Sequence, residues 1–181
     1  MTKITEIKET VEVPDGVELS LEDDIIHVKG EKGAISRSLF HHPRITMNVK
    51  NNVIEIICKD SPNRKEKALI GTYKAHIKSM IKGVSEGFEY KMKTVYSHFP
   101  IKTSVEENEF VIQNFLGERS PRKAKILENV NVEVKGDDVT VSGIDKEKVG
   151  QTAANIERAT RVKHRDIRVF QDGVYIISKR G

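Results

Sequence analysis

Apolar and polar positions along this chain alternate in short runs, and the same series of runs occurs twice. Pro14 opens the first series, and Pro100 opens the second 86 residues later. Each series predicts a pair of strands, a further strand that carries Arg or Lys, and a second hairpin. The second hairpins match most closely, because residues 48–56 alternate in the same way as residues 133–141. The repeat predicts a duplicated small module.

Each series ends where the apolar period changes from two to about 3.6, which predicts an amphipathic helix. Ser61 is the predicted N-cap of the first helix, with Pro62 at the first helical position, where its missing N–H costs nothing. Asp145 is the predicted N-cap of the second helix, which we expect to end near Val162. The predicted buried positions are Leu69, Tyr73, Ile77, Met80, Ile81 and Val84 in the first helix and Val149, Ala153, Ile156 and Thr160 in the second.

These elements predict an α/β (α+β) fold with two similar small domains that arose by internal duplication. Each domain is expected to be a mostly antiparallel sheet packed against one main helix. The expected domains are residues 1–84 and 85–181. The segment at residues 1–12 mixes Lys and Glu with scattered apolar positions and predicts a mobile arm. The tail at residues 163–176 predicts a basic loop, a strand, an Asp-Gly turn and a final short strand.

Charge follows the same repeat. Residues 1–60 carry 8 Lys and Arg against 11 Asp and Glu, and residues 101–145 carry 6 against 9. Residues 61–100 carry 8 against 3, and residues 146–181 carry 9 against 4. Each basic segment contains a predicted helix and the residues that follow it. Such a segregated basic surface favours binding to polyanions, although a solvated helix face is the alternative for the lysines of the first helix.

Several classes of protein do not fit the sequence. No window approaches the ~20 apolar residues of a transmembrane helix, and the N-terminus lacks an apolar signal core. The single cysteine, Cys58, excludes an internal disulfide, fits a reducing cytoplasmic setting, and is expected to be a small buried apolar residue. No metal-ligand spacing is present, and the Gly30–Gly33 segment lacks the ending of a phosphate loop and predicts a turn.

Two acidic pairs leave one enzymatic alternative open. Asp23-Asp24 and Asp137-Asp138 both fall in predicted hairpin turns, where Asp is favoured by local hydrogen bonding. A small hydrolase that uses these carboxylates is therefore possible on sequence grounds. No nucleophile elbow or Cys/His nucleophile pattern accompanies them, and we expect no enzyme activity, no metal, no cofactor and no small-molecule substrate.

The remaining chemistry lies in basic segments of the second half. Four cations occur between Arg119 and Lys125, and a second basic run extends from Lys163 to Arg168. Together with Lys179-Arg180, these runs are expected to cluster on one side of the second domain. Lys and Arg neutralise phosphates and release counterions, which drives salt-sensitive RNA binding, and basic loops suit recognition of folded RNA.

Five stretches of the chain also match one known pattern over nearly its whole length. They are residues 28–37, 83–88, 96–101, 141–157 and 168–176. Together they resemble the universal large-subunit ribosomal protein L-six family in its archaeal form. The resemblance implies two similar α/β domains and binding to large-subunit ribosomal RNA near the base of the acidic-protein stalk, close to the factor-binding region. It also implies that the second domain makes the main RNA contact.

The combined expectation is a non-enzymatic structural constituent of the large ribosomal subunit, located in the cytoplasm. It would bind large-subunit (23S-type) ribosomal RNA and stabilise its fold during translation, beside neighbouring ribosomal proteins near the stalk base and without a membrane. An RNA-processing or RNA-chaperone module outside the ribosome is the second alternative. The candidate ribosomal-RNA-binding residues are Ser97, His98, Arg119, Arg122, Lys123, Lys125, Lys148, Arg158, Arg161, Lys163, His164, Arg165, Arg168, Lys179 and Arg180.

Overall fold

The computed structural model divides the chain into two compact units, Met1–Glu86 and Gly87–Gly181. The structure describes residues 6–22, 25–39, 42–50, 52–59 and 62–181. The predictions made for Asp23, Asp24 and Ser61 concern residues outside these ranges.

The first unit contains two three-stranded antiparallel sheets and one helix, α1. The strand orders are β1-β6-β5 and β2-β3-β4. Helix α1 contacts strands of both sheets, and its apolar side packs into a core with Ile26, Ile54 and Cys58. The elements are β1 (Ile7–Glu12), β2 (Glu18–Glu22), β3 (Ile25–Gly30), β4 (Gly33–Ser38), β5 (Ile45–Lys50), β6 (Val53–Cys58) and α1 (Arg64–Ser85).

The second unit contains a four-stranded and a three-stranded antiparallel sheet and the helix α2. The strand orders are β11-β12-β7-β13 and β10-β9-β8. Its core includes Phe110 and Ile112 of β9 together with Val149 and Ile156 of α2. The elements are β7 (Phe88–Val95), β8 (Lys102–Glu106), β9 (Glu109–Gln113), β10 (Arg122–Lys125), β11 (Val130–Lys135), β12 (Asp138–Gly143), α2 (Lys146–Ala159) and β13 (Gly173–Arg180).

The predicted duplication and the α+β class are confirmed. Strands β1-β6-β5 of the first unit have the same order as β7-β12-β11 of the second, and β2-β3-β4 have the same order as β8-β9-β10. Each series then enters its helix. The second unit adds β13 beside β7, and this strand begins at the end of the tail. The division of each unit into two sheets is a feature that the sequence pattern does not reveal.

The start of the chain and the start of α1 differ from expectation. Residues 7–12, predicted to be a mobile arm, form β1, because Ile7 and Val11 point inward and every residue of the strand pairs with β6. The N-cap of α1 is Asn63, not Ser61. The Asn63 side chain accepts hydrogen bonds from two backbone N–H groups, and the Glu66 carboxylate accepts one from the Asn63 N–H at 2.7 Å, which forms a capping box.

The helices otherwise bury the predicted faces with small shifts. In α1, Ile70 is buried, whereas the predicted Leu69 is only partly buried. Helix α2 begins after the predicted N-cap, Asp145, but ends at Ala159 with Thr160 as its C-cap, so it is shorter than predicted. All four residues predicted to be buried here are buried, namely Val149, Ala153 and Ile156 of α2 and its C-cap Thr160.

The tail of the second unit also differs from expectation. The strand predicted before Asp172 is absent, because residues 166–169 form a turn closed by bonds to the Asp166 carbonyl and carboxylate. The Asp172-Gly173 pair does not form a turn but leads directly into β13. This final strand has eight residues and is not short, since it pairs with β7 along its length.

Candidate nucleic-acid interface

Arg122 joins two basic segments at the C-terminal end of α2. Its Nη1 group donates to the carbonyl oxygens of Ala159 at 2.9 Å and Arg161 at 3.1 Å. Its Nε and Nη2 groups donate to the Glu118 carboxylate at 2.8 and 2.6 Å. The guanidinium also lies 4.3 Å from the centre of the Phe115 ring. Because most of its donors are used internally, Arg122 holds the loop before β10 against the end of α2.

The segment after α2 also meets this junction, because the Arg161 carbonyl oxygen accepts a hydrogen bond from Arg122. The hydrogen bond from Arg122 is the main cause that lowers the pKa of Glu118 below its ordinary value, and the charge of Arg165 adds to it. Arg165 belongs to the tail that follows α2. Its guanidinium also lies 4.8 Å from the centre of the Phe170 ring, within cation–π distance. The first basic loop and the tail thus meet at one end of the second unit.

A buried carboxylate anchors the tail. Asp172 is 1% exposed, and its Oδ1 accepts a hydrogen bond from the Ser97 N–H at 2.5 Å. The His98 Nδ1 lies 3.0 Å from Asp172 Oδ2. The His98 ring stacks on the Phe170 ring with centroids 4.7 Å apart. The Arg165 guanidinium lies over the same Phe170 ring. The predicted residues Ser97 and His98 therefore fix the tail in place.

Two opposing effects act on the Asp172 carboxyl group. Burial, the largest effect, raises its pKa, but the hydrogen bonds from Ser97 and His98 and the charge of His98 together outweigh it. The pKa of Asp172 is lowered as a result, so the group is a carboxylate near neutral pH. A buried carboxylate satisfied by such donors favours one conformation of the segment that carries it.

Most of the predicted cations at the end of α2 and in the tail remain open to solvent. The Arg168 guanidinium pairs with Asp166 at 2.8 Å, and the two shift each other's pKa toward the charged forms. His164 adopts a left-handed backbone conformation with φ of 57° and is exposed. Within the described part of the chain, no ion pair or hydrogen bond engages the exposed side chains of Arg119, Lys125, Arg158, Arg161, Lys163 and Arg180.

Other predicted residues lie on a different face of their strand or at the far end of their helix. Lys123 and Lys125 alternate with Arg122 along β10 and lie on the opposite face of the strand, where Lys123 pairs with Glu109 at 2.6 Å. Lys148 lies in the first turn of α2, about 15 Å from the last turn at 1.5 Å per residue.

The expected clustering of Lys179-Arg180 with the tail is not observed. Strand β13 begins at Gly173, opposite Val95, and carries Lys179 and Arg180 to the other end of β7, opposite Tyr90 and Glu89. At about 3.3 Å per residue, the separation along the strand is roughly 20 Å. Lys179 lies 5.8 Å from the Tyr90 ring centre instead.

We define the tail site as the last turn of α2 and the loop that follows it, with the residues that anchor them. Its open cations are Arg158, Arg161, Lys163 and Arg165. Sequence reasoning missed Asp172, Phe170 and Tyr175, although they shape the site. No local signal identifies Asp172, because its partner Ser97 is 75 residues away and an Asp-Gly pair is typical of a turn.

The first unit offers a less open basic surface on α1. Lys74 pairs with Glu9 of β1 at 2.5 Å, and this hydrogen bond is the main cause that lowers the pKa of Glu9. Lys82 lies 4.0 Å from Glu86. Part of the positive charge of α1 is therefore neutralised within the unit, which fits the alternative of a solvated helix face.

Other kinds of site find no support in the described residues. Asp137 and Asp138 are exposed at the β11–β12 turn, where Gly136 has a positive φ, as expected for acidic residues of a hairpin turn. Within residues 6–181, excluding the undescribed positions, no three His, Cys, Asp or Glu side chains group as metal ligands. Neither helix of the described chain is long and apolar enough to cross a membrane.

The chain is thus a duplicated α+β unit whose second copy carries the open cations of the tail site. The chain belongs to the ribosomal protein L6 family, whose family model matches it twice, at residues 13–87 and 99–173. The two matches fall one in each unit. Members of this family are structural ribosomal proteins and not enzymes, so the hydrolase alternative is excluded.

Curated archaeal relatives cover nearly the whole chain. The large ribosomal subunit protein uL6 of Methanobrevibacter smithii is 52% identical over 174 residues, which are 96% of each chain. The uL6 protein of Methanosarcina mazei is 48% identical over 97% of this chain and 99% of its own. The uL6 protein of Methanothrix thermoacetophila is 47% identical over 98% of this chain and 99% of its own. The resemblance to the archaeal form of the family is confirmed.

Proposed function

We propose that this protein is a structural constituent of the large ribosomal subunit that binds large-subunit ribosomal RNA through the tail site. The proposal rests on a group of exposed cations, Arg158, Arg161, Lys163 and Arg165. The hydrogen bond between the Ser97 N–H and Asp172 fixes the end of the segment that carries them. Arginine is well suited to bind phosphate, because its planar guanidinium offers paired donors. The names of the relatives support the assignment to the large subunit.

The anchoring network gives the proposal its mechanism. Flexible cationic loops lose conformational entropy when they bind, and this loss reduces affinity. Asp172, Ser97 and His98 fix the tail before RNA arrives, while Arg122 fixes the preceding loop against α2. The cations are therefore presented in a preorganised arrangement that suits a folded RNA surface. Binding in this way would stabilise the RNA fold during translation.

The finer placement follows from the family resemblance. We propose a position near the base of the acidic-protein stalk and the factor-binding region, beside other large-subunit proteins and in the cytoplasm. The candidates outside the tail site, which are Arg119, Lys123, Lys125, Lys148 and the Lys179-Arg180 pair, would then contact RNA or neighbouring proteins elsewhere on the protein. Arg122, Ser97 and His98 are proposed to act mainly by holding the site together.

Gradient sedimentation and crosslinking test this function. The full chain, expressed with a small affinity tag in a related archaeon, should migrate with large subunits and be released by high salt. Ultraviolet crosslinks to ribosomal RNA should fall mainly between residues 158 and 171. A chain that migrates only in RNA-processing particles, or whose crosslinks lie mainly on α1, would contradict the proposal.

A further inference from the structure

A groove in the second unit combines an exposed aromatic ring with two arginine side chains. Arg158 of α2 and Arg161, which follows the end of that helix, line the groove together with Ile167 and Phe170 of the tail and Tyr175 of β13. The groove has a volume of about 620 Å³. This volume lies within the roughly 300–1,000 Å³ typical of small-ligand sites.

The Tyr175 ring is held in one orientation. A Cβ atom on Gly173 would lie 2.9 Å from Cζ of this ring, so the absence of a side chain at Gly173 leaves room for it. The Tyr175 hydroxyl donates a hydrogen bond to the Gln171 carbonyl oxygen at 3.1 Å. Even so, Tyr175 remains 42% exposed. An aromatic surface fixed in this way loses little conformational entropy when a flat ligand stacks on it.

The charge of the groove selects an anionic ligand. Neither Arg158 nor Arg161 has a side-chain partner among the described residues, and Glu157 is the single acidic residue in the groove lining. The lining therefore has an excess of positive charge. An apolar protein side chain could cover Ile167 and Tyr175 but would leave both guanidinium groups without an anion.

We infer that this groove binds one unpaired nucleotide of an RNA, with its base stacked on Tyr175 and its phosphates contacted by Arg158 and Arg161. The inference rests on the proposed function and specifies one contact within it. Proteins recognise single-stranded RNA by stacking splayed-out bases on aromatic side chains, which is tolerant of sequence because every base has a π face. The tail site would thus combine phosphate contacts with a pocket for one flipped base.

The test compares two RNA probes with the full chain at one fixed salt concentration. One probe is a short RNA duplex, and the other is the same duplex with a single bulged adenosine. The wild-type chain should bind the bulged duplex roughly five- to a hundredfold more tightly. Tyr175→Leu should remove this preference, whereas the salt dependence of binding to the plain duplex should be unchanged because the substitution removes no cation. Tyr175→Phe keeps the ring and should retain most of the preference.

A second variant and a control keep the test decisive. Gly173→Ala should weaken the preference, because the added Cβ displaces the Tyr175 ring without removing it. Ile177→Ala removes an exposed apolar side chain from the same strand but lies outside the groove, and it should behave like the wild type. Circular dichroism of each variant shows that the fold is retained.

Two results would overturn the inference while leaving the proposed function in place. One is equal wild-type affinity for the two probes, and the other is a preference that survives in Tyr175→Leu. If Tyr175→Leu keeps the preference but no longer migrates with large subunits, the groove binds a protein partner instead. Absence of salt-dependent binding to both probes, with no migration with large subunits, would contradict the proposed function itself.

Discussion

The His98 Nδ1 atom lies 3.0 Å from Asp172 Oδ2, and this pair joins the end of β7 to the end of the tail. Asp172 is buried, whereas the His98 side chain is 35% exposed. The exposed partner also stacks on Phe170, so the pair connects the interior of the second unit with the surface that carries the open cations. This relationship makes the anchoring of the tail testable separately from its charge.

Asp172→Asn should loosen the tail. The substitution keeps the shape of the side chain but removes the negative charge with which His98 and the Ser97 N–H form hydrogen bonds. Hydrogen bonds to charged groups contribute about 1.5–3 kcal/mol each, so we expect a loss of unfolding free energy of about 1–3 kcal/mol. RNA affinity should fall several-fold. Chemical denaturation and an RNA-binding assay measure both effects.

Asp166→Asn is the matched control for this substitution. Asp166 is a carboxylate of the same tail, but it is exposed, and among the residues that the structure describes its side chain pairs with Arg168 alone. Its replacement should change stability little, because exposed ion pairs contribute little. Equal destabilisation by the two substitutions would show that Asp172 does not anchor the tail.

The same carboxylate predicts a dependence of stability on pH. The pKa of Asp172 is lowered from 3.8, so its contribution is fully present above that value and is lost as pH falls through the lower folded-state pKa. Below about pH 4, wild-type stability should fall more steeply than that of Asp172→Asn. Thermal melts of both chains across the acid range measure this difference. Parallel pH profiles would contradict it.

Arg122 and Arg158 should have opposite roles although both are arginines at one end of the unit. Arg122→Met leaves the Ala159 and Arg161 carbonyl oxygens without this donor and should lower stability by about 1–3 kcal/mol. Arg158→Gln removes an open cation and should leave thermal stability nearly unchanged while it weakens RNA binding. Melting temperature and RNA affinity of each variant provide the comparison. If Arg158→Gln lowered the melting temperature and Arg122→Met did not, the structural role of Arg122 would be excluded.

Cys58 should be a structural residue. It is fully buried in the core of the first unit. Cys58→Val, a similar small apolar side chain, should change stability by less than about 2 kcal/mol and leave RNA affinity within a factor of about two. Denaturation and a filter-binding assay test both expectations. A large loss of affinity with an unchanged fold would give this residue a function that its position does not explain.

The sequence predicted the duplication and most strand and helix positions because local periodicity determines them. The repeated hairpins lie where the alternation places them, and Asp145 caps α2 as expected. Strand β1 was not predicted because its exposed positions include the charged residues Lys8 and Glu12. Such a mixture of charges is also typical of a disordered terminal segment. The N-cap of α1 was misplaced by two residues because Ser61-Pro62 and Asn63 offer competing start signals.

The candidate site was predicted less completely, because tertiary contacts select among residues that look equivalent in sequence. Arg122 and Lys123 are neighbours in one basic run, yet strand alternation sends them to opposite faces. The length of β13 separates Arg180 from the tail. The anchor between Asp172 and Ser97 spans 75 residues and leaves no periodic signal.

We expect the tail site of the second unit, rather than the basic face of α1, to contact ribosomal RNA. A salt titration of two matched double variants on a large-subunit RNA fragment tests it most directly. If about five cations touch phosphates, log affinity of the wild type should fall against log salt with a slope of roughly −3.5 to −4.5. Arg158→Gln with Arg161→Gln should flatten this slope by about 1 to 2, and Lys74→Gln with Lys78→Gln should change it much less. A larger flattening in the α1 variant would show that the RNA contacts the first unit instead of the tail site.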